Sequence, residues 1–212
     1  NIVLGNEEDS VLTDMNNEPI KDFQAHVSQE RTHLSQVRRA FTAGLEIETI
    51  DPGLVNFYVV CCDYLEYALS RLITQDNILH DLLVPHIEPT NQEYLDKLAK
   101  LENGLKAMEN SIEKLSAAKN NLIKSGLYEA EEFKEEARSF LDVFLNMLAS
   151  NRHSTIDLEQ KVFTPKDWEK LAGVTEESIQ MEEKLFLNTK LSAPKGCDPD
   201  SFPPLGHHQQ PS

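Results

Sequence analysis

The sequence predicts an all-α fold: an up-and-down antiparallel four-helix bundle with a short C-terminal helical appendage. Three features carry that expectation. Apolar residues recur at three- and four-residue steps over most of the chain. Pro and Gly punctuate the segments between those runs. No run alternates convincingly with a period of two, so no sheet is expected. Long helices joined by short connections must lie antiparallel beside one another.

Residues 1–18 are polar, acidic and without periodicity, and read as a loose leader. Residues 19–173 hold the bundle and a short Trp-containing helix. The first stripe is Ile20, Phe23, Val27, Leu34, Val37, Phe41 and Leu45, with Asn17 before Pro19 as start and Gly44 as stop. Asp51-Pro52 opens the second helix as cap and first-turn proline. Its stripe runs Leu54, Tyr58, Cys61, Leu65, Leu69, Leu72, Leu79 and Leu83, and ends before Pro85.

Thr90 with Glu93 three residues on reads as a capping box for the third helix. Leu98, Leu101, Leu105, Met108, Ile112, Leu115 and Leu122 follow, and Ser125-Gly126 ends it. The fourth helix is expected from about Ala130 to Phe163, with Phe133, Ala137, Phe140, Phe144, Leu148, Leu158 and Val162 on one face. Thr164-Pro165 begins a short helix closed by Gly173. Thr175 caps a further helix within 174–191. Residues 192–212 form a Pro-rich tail in which little order is expected.

Thirty-six acidic residues against 20 basic ones give a net charge of -16. That field repels phosphate, so neither nucleic acid nor an anionic membrane is an expected partner. No apolar run reaches the roughly 18 residues of a membrane span, and no signal peptide is visible. Cys61, Cys62 and Cys197 make no disulfide framework and no zinc spacing, which points to a reduced, cytoplasmic protein. A glycine-rich phosphate loop, a nucleophile elbow and a compact metal string are all missing.

In a bundle, chemistry sits on polar side chains that point inward. At about 100° per residue, Glu30 lies within about 40° of Leu34, while Asp76 and Asn151 fall within about 20° of Leu65 and Phe144. Thr155 falls on the fourth stripe and Arg38 near the first, whereas His153 points away. His26, Glu30 and His33 share one helix side by their i, i+4, i+7 spacing. Antiparallel register allows His26, Glu30, Asp76 and Asn151 to meet in one layer. Such a layer has two readings: a metal site built from carboxylate and imidazole, or a buried hydrogen-bond network with Arg31 or Arg38 as counter-charge. If the helix boundaries are shifted, Glu30 or Asp76 instead reaches the surface.

Three stretches carry a resemblance to a known family. AHVSQERTHLSQVRRAF resembles the histidine-bearing first helix of hemerythrin-like, or HHE cation-binding, domains. FYVVCCDYLEYALSRLITQDNILHDLLVP resembles their second helix, and VFTPKDWEKL resembles the end of their fourth helix with the Asp-Trp turn that follows. The resemblance covers roughly residues 20–172. It implies a four-helix bundle holding two irons through His and carboxylate, with an oxygen-carrying, nitric-oxide-sensing or iron-handling role. The chain departs from that pattern at the ligands. Leu72 or Arg71 stands where a His is expected, Asp76 or Gln75 at the acid, and Met147 and Asn151 at the fourth helix's His and Glu. The third helix has no His.

The expectation is therefore a non-enzymatic hemerythrin-like bundle with a degenerate metal site, binding a protein partner or a small apolar ligand and needing no cofactor. The alternative is an iron-binding domain with a carboxylate-rich site at His26, Glu30, Asp76 and Asn151. Self-association through the C-terminal helices, with Leu185 and Phe186 as an exposed pair, is a third expectation.

Overall fold

The computed structural model describes residues 22–151 and 155–204. Among these residues every regular element is helical and no strand is present. The long helices are α1 (Phe23–Leu45), α2 (Pro52–Leu83), α3 (Gln92–Ser125) and α4 (Ala130–Asn151). Three shorter ones follow, α5 (Ile156–Val162), α6 (Pro165–Ala172) and α7 (Glu176–Ser192). Single 3₁₀ turns lie at Val84–His86, Gly126–Glu129 and Pro199–Ser201.

Local chemistry sets most of these boundaries. Asp51 accepts a 2.7 Å hydrogen bond from the Leu54 amide, and Pro52 sits where no amide partner is needed. Thr164 with Asp167, and Thr175 with Ser178, form reciprocal capping boxes at α6 and α7. Gly173 ends α6 in the left-handed region at φ 56°, and Gly126 turns the chain after α3 at φ 57°. Two boundaries differ from the sequence reading. Asn91, not Thr90, caps α3, its side chain accepting from the Tyr94 amide. The fourth segment is two helices rather than one: α4 closes at Asn151 and α5 begins at Ile156. The Asn17 start of the first helix lies outside the described residues.

α2 is the most deeply buried element. α1 and α3 flank it, α7 packs along it, and α4 packs chiefly on α3. Phe41 of α1, Tyr58 of α2 and Phe133 of α4 meet as an aromatic trio with centroids 5.2–6.2 Å apart. Arg138 of α4 donates to the Leu45 carbonyl at the C-terminus of α1, and Lys134 to the Ile47 carbonyl in the loop just beyond it. Lys119 of α3 bridges Asp63 and Glu66 of α2. On α4 the buried set is Phe133, Ala137, Phe140, Leu141, Phe144 and Met147. Leu148, placed inward by the simple stripe, is exposed because the face advances three residues after Phe144, not four.

α7 is an integral layer rather than an appendage. Glu182, Phe186 and Thr189 are buried between it and its neighbours. The expected exposed pair is thereby corrected: Phe186 stacks on His33 at 3.7 Å, and Leu185 is half-buried. The segment after Leu191, expected to hold little order, is packed as far as Phe202, with Cys197 buried and Phe202 against the core.

Gly44 does not stop α1 as its position suggests; it is a packing glycine. A Cβ there would stand 2.9 Å from Phe57 Cε1, and its carbonyl accepts the Tyr58 hydroxyl at 2.8 Å. Gly44→Ala would gain about 1 kcal/mol of helix propensity but lose about 1–3 to overpacking against a ring that has no room to swing. Urea denaturation is expected to show a net loss of roughly 1 kcal/mol.

Candidate functional site

Three helical stripes converge between α1, α2 and α7. α1 contributes Glu30 and His33; α2 contributes Tyr64, Tyr67, Arg71 and Gln75; α7 contributes Ser178, Glu182 and Phe186. The spacings are three or four residues on each helix, so each set lies on one face.

Arg71 is the central cation. Its Nη2 lies 3.0 Å and 3.1 Å from the two Glu30 oxygens. The same group reaches α6: Nη1 donates to the Gly173 carbonyl at 3.0 Å and Nη2 to Ala172 at 3.3 Å. The Gln75 amide adds a 2.9 Å bond to Ala172. A guanidinium thus serves a carboxylate and the negative end of a helix together.

Glu182 forms the second half. It is 4% exposed, lies 2.6 Å from His33 Nδ1 and accepts the Tyr64 hydroxyl at 2.8 Å. His33 lies flat on Phe186, interplanar 5°, which fixes its ring. Burial pushes the Glu30 carboxyl above the usual carboxylate range in spite of Arg71. The Tyr64 phenol is raised well above its ordinary value, by burial first and then by the charge of Glu182 and the bond to it. Such a phenol is a hydrogen-bond donor, not a base. The Cys61 and Cys62 thiols, buried and free, are likewise raised well above theirs by burial, which leaves them unreactive.

The space beside this cluster is small. A pocket lined by Glu30, Tyr64, Tyr67, Arg71, Gln75 and Glu182, among others, has a volume of about 20 Å³. One water needs about 10–15 Å³, and a small-molecule site about 300–1,000 Å³. The pocket therefore suits a bridging water beside the buried Arg71 Nε and is far too small for a substrate.

Of the four candidate ligands, His26 and Glu30 lie close together, while Asp76 stands apart from them beside other charges. Glu30 faces Arg71. His26 stands one turn earlier and lines a shallow hollow that Glu30, Glu182 and Glu183 also line. Asp76 lies near the positive Arg31 and the negative Glu159, and burial pushes its carboxyl up to about 6. The side chain of Asn151, and His153, lie outside the described residues. Among the described residues no group of three or more His, Cys, Asp or Glu side chains stands close enough to hold a metal. Glu30 already has a guanidinium as its counter-charge.

The counter-charge was expected from Arg31 or Arg38. Arg31 does stand as the positive charge beside Asp76, and bonds Gln75 at 3.4 Å, whereas Glu30 is met by Arg71 from the next helix. Sequence reasoning also missed Glu182, hidden in a glutamate-rich run. Its signal was the line Ser178, Glu182, Phe186, Thr189, which repeats at helical spacing.

Two measurements check this account. Arg71→Met strands a largely buried carboxylate and the Gly173 carbonyl, and is expected to lower unfolding free energy by about 2–4 kcal/mol. Adding Glu30→Gln is expected to restore at least about 1 kcal/mol of that loss. For Asp76 the folded carboxyl holds its proton up to about 6, against 3.8 ordinarily, so the charged form is penalised. That penalty is full above the folded value and fades as pH falls toward the unfolded one. Asp76→Asn is expected to stabilise by about 1–2 kcal/mol near pH 8, after discount for partial exposure, with the gain gone near pH 4.

Comparison of the chain with family models, with curated proteins and with solved structures finds no match.

Proposed function

We propose that the chain is a non-enzymatic, hemerythrin-like helical module that works by binding a protein partner, in the cytoplasm, with its metal site degenerate. In this reading α1 to α4 run up and down as a four-helix bundle and α7 fills the groove between α1 and α2. Support for that order comes from three cross-helix contacts: Glu30 with Arg71, Gly44 with Tyr58, and Phe41 with Phe133. The three free cysteines suit a reducing compartment.

The observation that carries the reading is the closure of the polar centre on itself. Glu30 is met by Arg71, Glu182 by His33 and Tyr64, and the remaining space has the volume of a water. Groups so engaged hold helices together and offer nothing to a substrate. The same volume argues against a small apolar ligand. Surface is what remains for function. On the turn between α3 and α4, Tyr128 is 96% exposed, with Ile123 and Leu127 also exposed. Glu129, Glu131 and Glu132 follow at once. An exposed aromatic beside carboxylates suits a partner segment of mixed basic and apolar character.

A photoactivatable phenylalanine placed at Tyr128 is expected to give one discrete crosslinked species in cells, and the same group at exposed Asn103 none. Elemental analysis of the chain after iron loading is expected to read near zero. Equal crosslinking at both positions overturns the reading. So do one or two equivalents of iron that Asp76→Ala abolishes.

A further inference from the structure

After α7 the chain folds back over α1, and the way it is held has the character of peptide recognition. Gly196 turns at φ 85°, and Cys197 is buried. Asp198 then caps its own turn by accepting from the Asp200 amide at 2.9 Å. Phe202 is extended, at φ −92° and ψ 113°. Its carbonyl accepts the Gln36 side-chain amide at 3.0 Å, and the Pro203 carbonyl accepts Arg39 Nη1 at 2.7 Å. The Arg39 guanidinium also lies 5.2 Å over the Phe202 ring. One residue pair upstream, Lys190 of α7 forms an ion pair with Asp200.

These contacts form a set. A segment ending Phe-Pro-Pro has no amide hydrogens on its prolines, so it can be read only through carbonyls, ring faces and flanking charge. Gln36, Arg39 and Lys190 supply those three readouts from two rigid helices. None of them requires the segment to belong to the same chain. Its polar contacts are individually weak: two exposed or half-buried side-chain bonds, one cation over a ring and one exposed ion pair act beside the burial of Pro199 and the packing of Phe202. Covalent tethering keeps the segment in place, because a short link gives an effective concentration near the millimolar range.

We infer that the groove between α1 and α7 is a recognition site for an acidic Phe-Pro-Pro segment of another protein, and that residues 198–204 occupy it as a built-in competitor. The inference goes beyond the binding role assigned to the α3–α4 turn and stands on different residues. Loosening the resident segment therefore exposes a site of defined chemistry.

The test uses the full chain and a fluorescent peptide of sequence Asp-Pro-Asp-Ser-Phe-Pro-Pro, read by anisotropy. Phe202→Ala removes the ring of the resident segment. Asp200→Lys sets like charge against Lys190 and leaves the core alone, so a folded variant is in hand even if Phe202→Ala unfolds. Each loosened variant is expected to bind the peptide at least about tenfold more tightly than the unaltered chain. Arg39→Ala added to either is expected to remove that gain. No gain in a folded loosened variant, or a gain that survives Arg39→Ala, overturns the inference. A concentration-dependent dimer of the unaltered chain that Arg39→Ala dissolves would assign the groove to a second copy of this chain and overturn it as well. Crosslinking at Tyr128 is read independently, so failure of either proposal leaves the other standing.

Discussion

A buried carboxylate cannot stay charged in a helical core unless a cation is brought to it, and the Arg71–Glu30 pair answers that constraint. The same guanidinium accepts a second task. By donating to Ala172 and Gly173 it ties the C-terminal end of α6 to α1 and α2. Without it, an ionised Glu30 and the Gly173 carbonyl would be left without their partner, Ala172 keeping only Gln75. The placement of α6 follows from this junction.

Side chains reaching across to helix ends recur through the molecule. Arg138 closes the end of α1 and Lys134 the loop just beyond it, and Arg71 with Gln75 closes the end of α6. Each of these carbonyls would otherwise need solvent. Because the donors sit on other helices, every such bond also fixes a relative position. The apolar seams supply most of the driving force through burial of Phe41, Phe57, Tyr58, Leu65, Met108 and Phe133. Apolar contact alone leaves register loose, and the directional bonds remove that freedom.

Across the helices of the interior, two glutamates, a histidine, a tyrosine and an arginine engage one another. Each group answers another within the molecule. The surface carries the unanswered features: a nearly naked tyrosine beside carboxylates, and a self-bound Phe-Pro-Pro strap on α1.

The sequence by itself determined the helices, their apolar faces and several caps. Periodicity and capping are local, written within three or four residues, and so Asp51, Thr164, Gly173 and Thr175 could be read directly. It also placed Glu30 and Asp76 at inward-leaning positions. What it could not determine was which charge answers Glu30. Arg31, Arg38 and Arg71 are equal candidates until α1 and α2 are set in register, a matter of long-range packing. The roles of Glu182 and Phe186, and of the strap after Leu191, were decided by tertiary structure for the same reason. A glutamate in a polar run and a proline-rich tail have no local signature of burial, and their partners lie more than a hundred residues away in the chain.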